Sequence, residues 1–215
     1  MRAIGTLEYW NVGFKDLFFP IIPPLHHSII SASGTEKATI SHGGMRMKKT
    51  KDPVLVSVVM GSDSDLPIMK EALILLKQFE IPYEVILTSA HRTPERTSDF
   101  AKGAAGRGIR IVIVGAGAAA HLAGVIASQT ALPVIGVPID STSLGGIDAL
   151  LSTVQMPGGI PVATMSVGKA GARNAALMAA RIFALEDRGL ARKLKRYAEK
   201  MAADVKEKQK KLDCL

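Results

Sequence analysis

The chain has 215 residues, 47% of them hydrophobic, which is enough for one domain with a substantial core. Its single cysteine, Cys214, excludes a disulfide framework and a zinc site built from cysteines. The formal net charge of +8 would indicate an anionic partner such as a nucleic acid only if the charge were spread over the folded part.

The positive charge lies at the two ends of the chain. Residues 1–52 carry 7 basic and 4 acidic side chains, and residues 187–215 carry 10 and 5. Residues 53–186 carry 10 of each, so the central part is neutral. A neutral central part and a single cysteine favour a cytoplasmic protein with no nucleic-acid partner.

Residues 1–52 show no sustained hydrophobic periodicity. Their most apolar stretch, residues 17–30, contains three prolines, which interrupt a helix. It is also too short to span a bilayer and lacks the flanks of a signal peptide. We expect a disordered or loosely attached N-terminal extension and no membrane partner. Met45 and Met47 lie just before the first predicted strand, so translation is expected to start there.

From residue 53 onwards, short β-branched apolar runs alternate with longer helical ones. Continuous apolar runs are typical of parallel strands that are covered on both faces. The predicted strands are Val54–Met60, Tyr83–Thr88, Ile109–Gly115, Pro133–Val137 and Pro161–Met165. The predicted helices are Asp65–Phe79, Pro94–Gly106, Ala118–Thr130, Gly145–Leu151 and Lys169–Leu185. This alternation predicts, over residues 53–187, a flavodoxin-like α/β domain with a parallel five-stranded sheet and helices on both faces.

Three of the predicted helices carry information about packing. Residues 118–130 and 172–185 are alanine-rich and apolar almost all round, and one sheet buries a single face of each. We therefore expect close self-association to cover the second face. The C-terminal segment, residues 188–215, contains an amphipathic helix with a narrow apolar seam that begins at Leu190. That seam packs either on its own domain or on a neighbouring subunit.

The loop after the first strand reads G-S-D-S-D at residues 61–65 and opens a helix. In open parallel sheets, ligands bind beyond the carboxyl ends of the strands. Small hydroxyl residues and free N–H groups at a helix N-terminus suit a phosphate or a sugar hydroxyl, and Asp65 can accept hydrogen bonds from a ribose. Ordinary N-capping by serine and aspartate would explain the same residues.

The loop after the second strand reads S-A-H-R-T-P at residues 89–94. Arg92 offers a planar fork of donors suited to phosphate. His91 can take and give protons near neutrality, because an imidazole has an unperturbed pKa of about 6.5. The alternative is a solvated turn in which Thr93 caps a helix that starts at Pro94.

The loop after the third strand, residues 115–121, matches the dinucleotide-binding pattern G-x-G-x-x-A. Its position after the third strand weakens that interpretation, and the small residues more simply allow a flat ligand close to the backbone. His121 either lines the site or is a buried histidine, and its position inside a predicted helix slightly favours burial.

The Pro- and Gly-rich loop at 155–161 either folds over an aromatic base or is a plain connection. No residue cluster has metal-ligand spacing, so no metal is predicted.

Six motifs, spread over about residues 54–205, resemble those of the bacterial 5-(carboxyamino)imidazole ribonucleotide mutase family of purine biosynthesis. They are G-S-D-S-D at 61–65, S-A-H-R-T-P at 89–94, G-A-G-A-A-A-H-L at 115–122, G-V-P at 136–138, Q-M-P-G-G-I-P-V at 155–162 and G-K-A-G-A-R-N-A-A-L at 168–177. The resemblance implies a three-layer α/β/α sandwich, a homo-octamer and a small-molecule ribonucleotide substrate. It also implies an isomerase that moves a carboxylate from the exocyclic nitrogen to carbon 4 of the imidazole ring, without metal, cofactor or ATP.

The resemblance also implies roles for individual residues. His91 is expected to be the general acid/base, and Ser89 is expected to support the phosphate site. The glycine–alanine loop is expected to cradle the ring and the carboxylate, and His121 becomes a site residue. The expected substrate ligands are Ser62, Asp65, Ser89, Arg92, Gly117, Ala118 and His121.

One residue departs from the family pattern, and one rival activity stays open. The family commonly has proline after His-Leu in the third loop, where this chain has Ala123, which affects the expected helix start. Related enzymes that carboxylate aminoimidazole ribonucleotide directly tend to have lysine at the position of Arg92 and a different third loop. Arg92 and the alanine run therefore favour the mutase, with direct carboxylation as the alternative.

Overall fold

A parallel sheet of five strands organises residues 54–213, the part of the chain that the computed structural model describes. The strands are β1 (Val56–Met60), β2 (Tyr83–Leu87), β3 (Ile111–Gly117), β4 (Val134–Ile139) and β5 (Ala163–Thr164). Their order, β2-β1-β3-β4-β5, confirms the predicted flavodoxin-like sheet. The extension expected at residues 1–52 lies outside the described residues.

Six α-helices cover the two faces of this sheet. They are α1 (Leu66–Gln78), α2 (Pro94–Ala104), α3 (Leu122–Ala127), α4 (Ile147–Val154), α5 (Gly168–Ala184) and α6 (Arg188–Leu212). One core cluster joins the sheet to α1, α5 and the start of α6, and a second joins it to α2, α3 and α4. The fold is therefore the expected three-layer sandwich. Within residues 54–213, no helix combines the length and apolar character needed to cross a membrane.

The continuous apolar runs arise because both sides of the central strands are covered. In β1, Val58 points into the cluster with α1 and α5, while Val59 points into the cluster with α2 and α3. β2 differs because it is an edge strand. Its Val85 and Leu87 are 43% and 48% exposed, although the sequence pattern predicted cover on both faces.

The two alanine-rich helices do not leave the apolar faces that the sequence predicted. The third helix is only six residues long, because residues 118–121 form a loop in which Ala118 has a φ of 53°. Helix α5 packs against α1, α6 and the sheet of its own chain and so buries one broad face. The residues on its opposite side include Lys169, Arg173 and Arg181. Helix α5 therefore lacks the second broad apolar face from which we expected self-association.

Helix α6 packs on its own domain at its start only. Leu190 is 6% exposed, and Leu194 and Tyr197 lie against the core that α1 and α5 share. Further along the seam, Met201 and Val205 are 47% and 66% exposed. The first part of the seam thus packs on its own domain, and the second part is about half exposed or more among the described residues.

Gly115 provides a test of this packing, because it lies in the centre of β3 against a helix. A Cβ atom at this position would lie 2.5 Å from Sδ of Met69 and 3.2 Å from Cδ1 of Ile139, and both side chains are buried. Gly115→Ala is expected to lower the free energy of unfolding by roughly 1–3 kcal/mol through overpacking. Chemical denaturation measures the change.

Gly103→Ala is the matched control, because nothing lies within 4 Å of a Cβ at that exposed position in α2. This control is expected to be neutral or slightly stabilising, since alanine favours a helix over glycine. Combining Gly115→Ala with Met69→Ala is expected to cost less than the sum of the two single changes. Additive costs would contradict the predicted clash.

Candidate functional site

Three loops meet at the carboxyl ends of β2, β1 and β3. Backbone hydrogen bonds hold the strand ends level: Gly61 N–H donates to the Gly115 carbonyl at 3.3 Å, and Thr88 N–H donates to the Met60 carbonyl at 3.0 Å. The loops line an open cavity of about 290 Å³. This size is near the lower end for small-molecule sites, roughly 300–1,000 Å³, and suits a ligand as small as one nucleotide.

The first loop turns its polar groups towards this cavity. Ser62 N–H donates to Oδ2 of Asp65 at 3.0 Å, and the hydroxyl of Ser64 donates to that of Ser62 at 2.9 Å. Residues 63–65 form a single 3-10 turn that leads into α1. The capping role foreseen for this loop is therefore real, and Ser62, Ser64 and Asp65 still line the cavity.

Asp65 is a carboxyl group removed from water, with only 4% of its surface exposed. This desolvation raises its pKa above the ordinary value of 3.8. The Ser62 and Gly61 N–H groups and the positive charge of Arg92 oppose the rise, while the neighbouring Asp63 charge adds to it. A buried acceptor of this kind is suited to accepting hydrogen bonds from ligand hydroxyl groups.

Arg92 is held across the gap between the first two loops. Its Nη2 donates to the Gly61 carbonyl at 2.8 Å, and its Nε lies 3.4 Å from Oγ of Ser89. The backbone N–H of Arg92 also donates to the Ser89 hydroxyl at 3.2 Å. Ser89 thus supports the loop and the guanidinium together, and Arg92 places a fixed positive charge at the wall of the cavity.

His91 and His121 form a pair across the second and third loops. Nε2 of His91 lies 2.9 Å from Nδ1 of His121, and the ring planes meet at 86°. One ring must donate and the other accept, so a single proton lies between the two nitrogens. Both side chains are exposed, so the slight preference for a buried His121 was wrong. His121 precedes α3 instead of lying inside a helix, and this leaves its ring free to reach His91.

The third loop supplies small residues in place of side chains that would fill the cavity. Gly117 and Ala119 line it, whereas Ala118, in a left-handed conformation, is not among the lining residues. A Cβ on Gly117 would collide with the side chain of Ser141, so glycine is required for the close approach of these two loops. Helix α3 forms with Ala123 at its second position, where the family commonly has proline.

The sequence reasoning missed two polar groups near the cavity. Ser141 lines it from the loop after β4, where the rule that ligands bind at the carboxyl ends of strands also predicts a site residue. Arg96, one helical turn after Arg92, lines an adjoining recess of about 320 Å³. Met156 does not fold over the cavity. It packs against Gly124 in a separate groove that it shares with His121.

Together these groups can bind an anionic ligand and move a proton. A guanidinium and serine hydroxyls line one side of the cavity, Asp65 accepts hydrogen bonds, and an imidazole faces a space walled by glycine and alanine. Among residues 54–213, no three histidine, cysteine, aspartate or glutamate side chains are grouped so that they could hold a metal ion. The described geometry is suited to acid–base chemistry on a phosphorylated small molecule.

Comparison with known proteins adds four similarities: a family match, two relatives and a solved structure. Residues 55–204 match a protein family described as AIR carboxylase. The chain is 55% identical over 165 residues to the N5-carboxyaminoimidazole ribonucleotide mutase of Pyrococcus horikoshii, covering 77% of this chain and 92% of that protein. It is 47% identical to the phosphoribosylaminoimidazole carboxylase of Schizosaccharomyces pombe, over 76% of this chain but 30% of that protein. The crystal structure of Treponema denticola PurE is 35% identical, with a TM-score of 0.66 and coverage of 74% and 98%.

The raised pKa of Asp65 predicts a pH-dependent gain in stability for Asp65→Asn. A pKa that is higher in the folded than in the unfolded chain contributes stability at low pH, and this contribution is lost as the pH rises through the raised pKa. The amide oxygen of asparagine can still accept from Ser62 N–H. We expect the variant to be more stable than wild type at pH 7, with the difference shrinking as the pH falls.

Urea denaturation between pH 4 and pH 8, with wild type measured in parallel, checks this prediction. A wild-type protein more stable than the variant at neutral pH, or a difference that does not change with pH, would contradict it. The same variant is expected to bind ligand more weakly, because asparagine has only one acceptor oxygen.

Proposed function

The chain belongs to the AIR carboxylase family, and we propose that it acts in purine biosynthesis as a mutase, converting N5-carboxyaminoimidazole ribonucleotide to 4-carboxy-5-aminoimidazole ribonucleotide. The family match spans most of the described residues. The mutase from Pyrococcus horikoshii aligns over nearly its whole length. The observation that best supports this reaction is that His91 and Arg92 line the same cavity, because the reaction needs a proton carrier beside an anion-binding group.

The reaction breaks one bond to carbon dioxide and makes another. A proton delivered to the exocyclic nitrogen lets the N–C bond break, which leaves the free amine and carbon dioxide. Carbon 4 of the electron-rich ring then attacks the carbon dioxide, and the proton on carbon 4 is removed. One imidazole can give the first proton and take the second, so His91 is the proposed general acid and base. Holding carbon dioxide next to the ring makes the second step intramolecular.

The remaining site residues hold the substrate for these steps. Arg92 and Ser62 are the proposed phosphate and ribose ligands, and Ser89 keeps the guanidinium in place. The carboxylate of Asp65 accepts from the ribose hydroxyls. Gly117 leaves space for the flat ring and the migrating carboxylate, and the left-handed Ala118 that follows it turns the loop. His121 holds the ring of His91 through the nitrogen pair.

We also propose that copies of the chain associate as a homo-octamer in the cytoplasm. The support for association is an apolar face on α4 and the turn before it, formed by Leu144, Ile147, Leu151 and Val154, each between 49% and 62% exposed. Three large apolar side chains on one side of a short helix, with Leu144 in the turn before it, favour a protein interface. The C-terminal segment 188–215 is proposed to contribute through the exposed end of its seam, at Met201 and Val205.

An assay with two substrates tests the function. The purified protein is offered N5-carboxyaminoimidazole ribonucleotide alone, and in a parallel reaction aminoimidazole ribonucleotide with bicarbonate. We expect turnover of the first at low bicarbonate. Turnover of the second alone would overturn the mutase in favour of direct carboxylation, and turnover of neither would overturn both activities.

His91→Asn is expected to lower kcat by roughly 10²–10⁴-fold, the usual contribution of a positioned proton carrier. Because His91 is exposed, the change opens no cavity, and thermal unfolding is expected to match wild type. Arg92→Lys keeps the positive charge but loses the planar pair of hydrogen-bond donors, and it is expected mainly to raise KM. Wild-type kcat in the His91 variant would remove this residue from the mechanism.

Leu151→Glu tests the proposed association through the α4 apolar face. A carboxylate there is expected to lower the particle mass at micromolar concentration, measured by light scattering, because it would be buried unpaired in the interface. Ile74→Glu is the matched control, since Ile74 on α1 is 50% exposed, as is Leu151. Equal masses for wild type and both variants would contradict the use of this face.

A further inference from the structure

Three threonine hydroxyls lie beneath the loop that carries His91 and Arg92. Thr88 directly follows β2 and Thr97 lies one turn inside α2, and their side chains are 3% and 0% exposed. Thr93 stands between them at the end of the loop. Oγ1 of Thr88 lies 2.9 Å from Oγ1 of Thr97 and 3.2 Å from Oγ1 of Thr93. These contacts join a strand end, a loop and a helix through side chains alone.

The donors in this cluster can be assigned by counting protons, because each hydroxyl has one. Thr97 donates to the carbonyl of Thr93 at 3.1 Å, and Thr93 donates to the carbonyl of Ser89 at 3.1 Å. The proton of Thr88 then remains for the oxygen of Thr97, the nearer of its two neighbours. Oγ1 of Thr93 also accepts from Ser89 N–H at 2.9 Å. All three protons are used, and both ends of the loop are fixed.

Core stability alone does not explain these hydroxyls. Valine has the shape of threonine and needs no partner when buried, whereas a buried hydroxyl must be hydrogen-bonded to avoid a cost. The bonds lead to Ser89 and Thr93, the residues on either side of Ala90, His91 and Arg92. Ser89 in turn accepts from the backbone N–H of Arg92 at 3.2 Å. The network therefore reaches Arg92 through Ser89, and His91 lies between the two loop residues that the network fixes.

We propose that the hydroxyls of Thr88, Thr93 and Thr97 form a positioning network that sets the conformation of the loop carrying His91 and Arg92. The proposal rests on the proposed function in so far as these two side chains act on the substrate. Without the hydroxyl of Thr97, Thr88 must turn to Thr93 and compete with its bonds to Ser89. The loop then has more than one arrangement, and the imidazole is displaced from the reacting carbon.

Thr97→Val tests the network, with Thr153→Val as its matched control. Thr153 is also a buried helical threonine, 2% exposed, and its hydroxyl donates to the carbonyl four residues earlier, that of Ala149, at 2.7 Å. Both substitutions lose one such intrahelical bond, but only Thr97→Val also loses a link to the loop. We expect Thr97→Val to lower kcat by roughly 10- to 100-fold, the range for a small misplacement of a reacting group. Thr153→Val and the conservative Thr97→Ser are expected to stay within about twofold of wild type.

Nitrogen-15 spectra of the histidine side chains give a readout that needs no turnover. In Thr97→Val, the signals of the His91–His121 pair are expected to shift or broaden, and in Thr153→Val they are expected to match wild type. If wild type turned over neither substrate, the proposed function would fail, and these spectra would still decide the network. A purely structural role would lower the melting temperature of both valine variants and leave kcat per folded molecule and the spectra unchanged.

Wild-type kcat together with wild-type histidine spectra in Thr97→Val would overturn the proposal. Should that variant not fold, Thr93→Val removes the bonds to Ser89 from the exposed side of the same network. It is expected to give the same loss of kcat and the same spectral change. An unchanged kcat with unchanged spectra in Thr93→Val would equally overturn the proposal.

Discussion

The parallel register of β1 between β2 and β3 is the constraint on which the site depends. Met60, the last residue of β1, pairs with Leu87 on one side and with Gly115 on the other. The chain leaves β1 towards β2 and returns to β3 on the opposite side, so the loops diverge and leave a cleft between them. Because all three strands reach the same level, loops far apart in sequence place Asp65, Arg92 and His91 around one cavity.

Several residues around this cleft have environments or conformations that the stability of the core does not require. Asp65 is a carboxylate removed from water, and the raised pKa reflects that desolvation. Arg92 and His91 lie on a loop that threonine hydroxyl groups and a backbone hydrogen bond hold between Ser89 and Thr93. Gly117 leaves space where any side chain would collide with Ser141. Each feature is better explained by the handling of an anionic, flat ligand than by stability.

Much of this arrangement is predictable from the sequence, because the apolar runs that form the strands and the polar motifs that follow them are both local signals. Continuous apolar runs mark the strands, and Arg92 lies in the loop that follows the second of them. The failures have physical causes that a sequence pattern does not contain. A left-handed Ala118 shortens α3 and brings His121 out of the predicted helix to meet His91. Ser141 joins the cavity only because β4 lies next to β3, and the apolar face of α4 becomes visible only once the sheet covers its other side.

A crystal structure with 4-carboxy-5-aminoimidazole ribonucleotide bound tests the central claim most directly, since it places every proposed role at once. The account predicts the phosphate on Arg92 and Ser62, the ring against Gly117, and carbon 4 within about 3–3.5 Å of a nitrogen of His91, the distance of a reacting pair. A ligand held elsewhere on the sheet, or a ring whose carbon 4 faces away from His91, would contradict it.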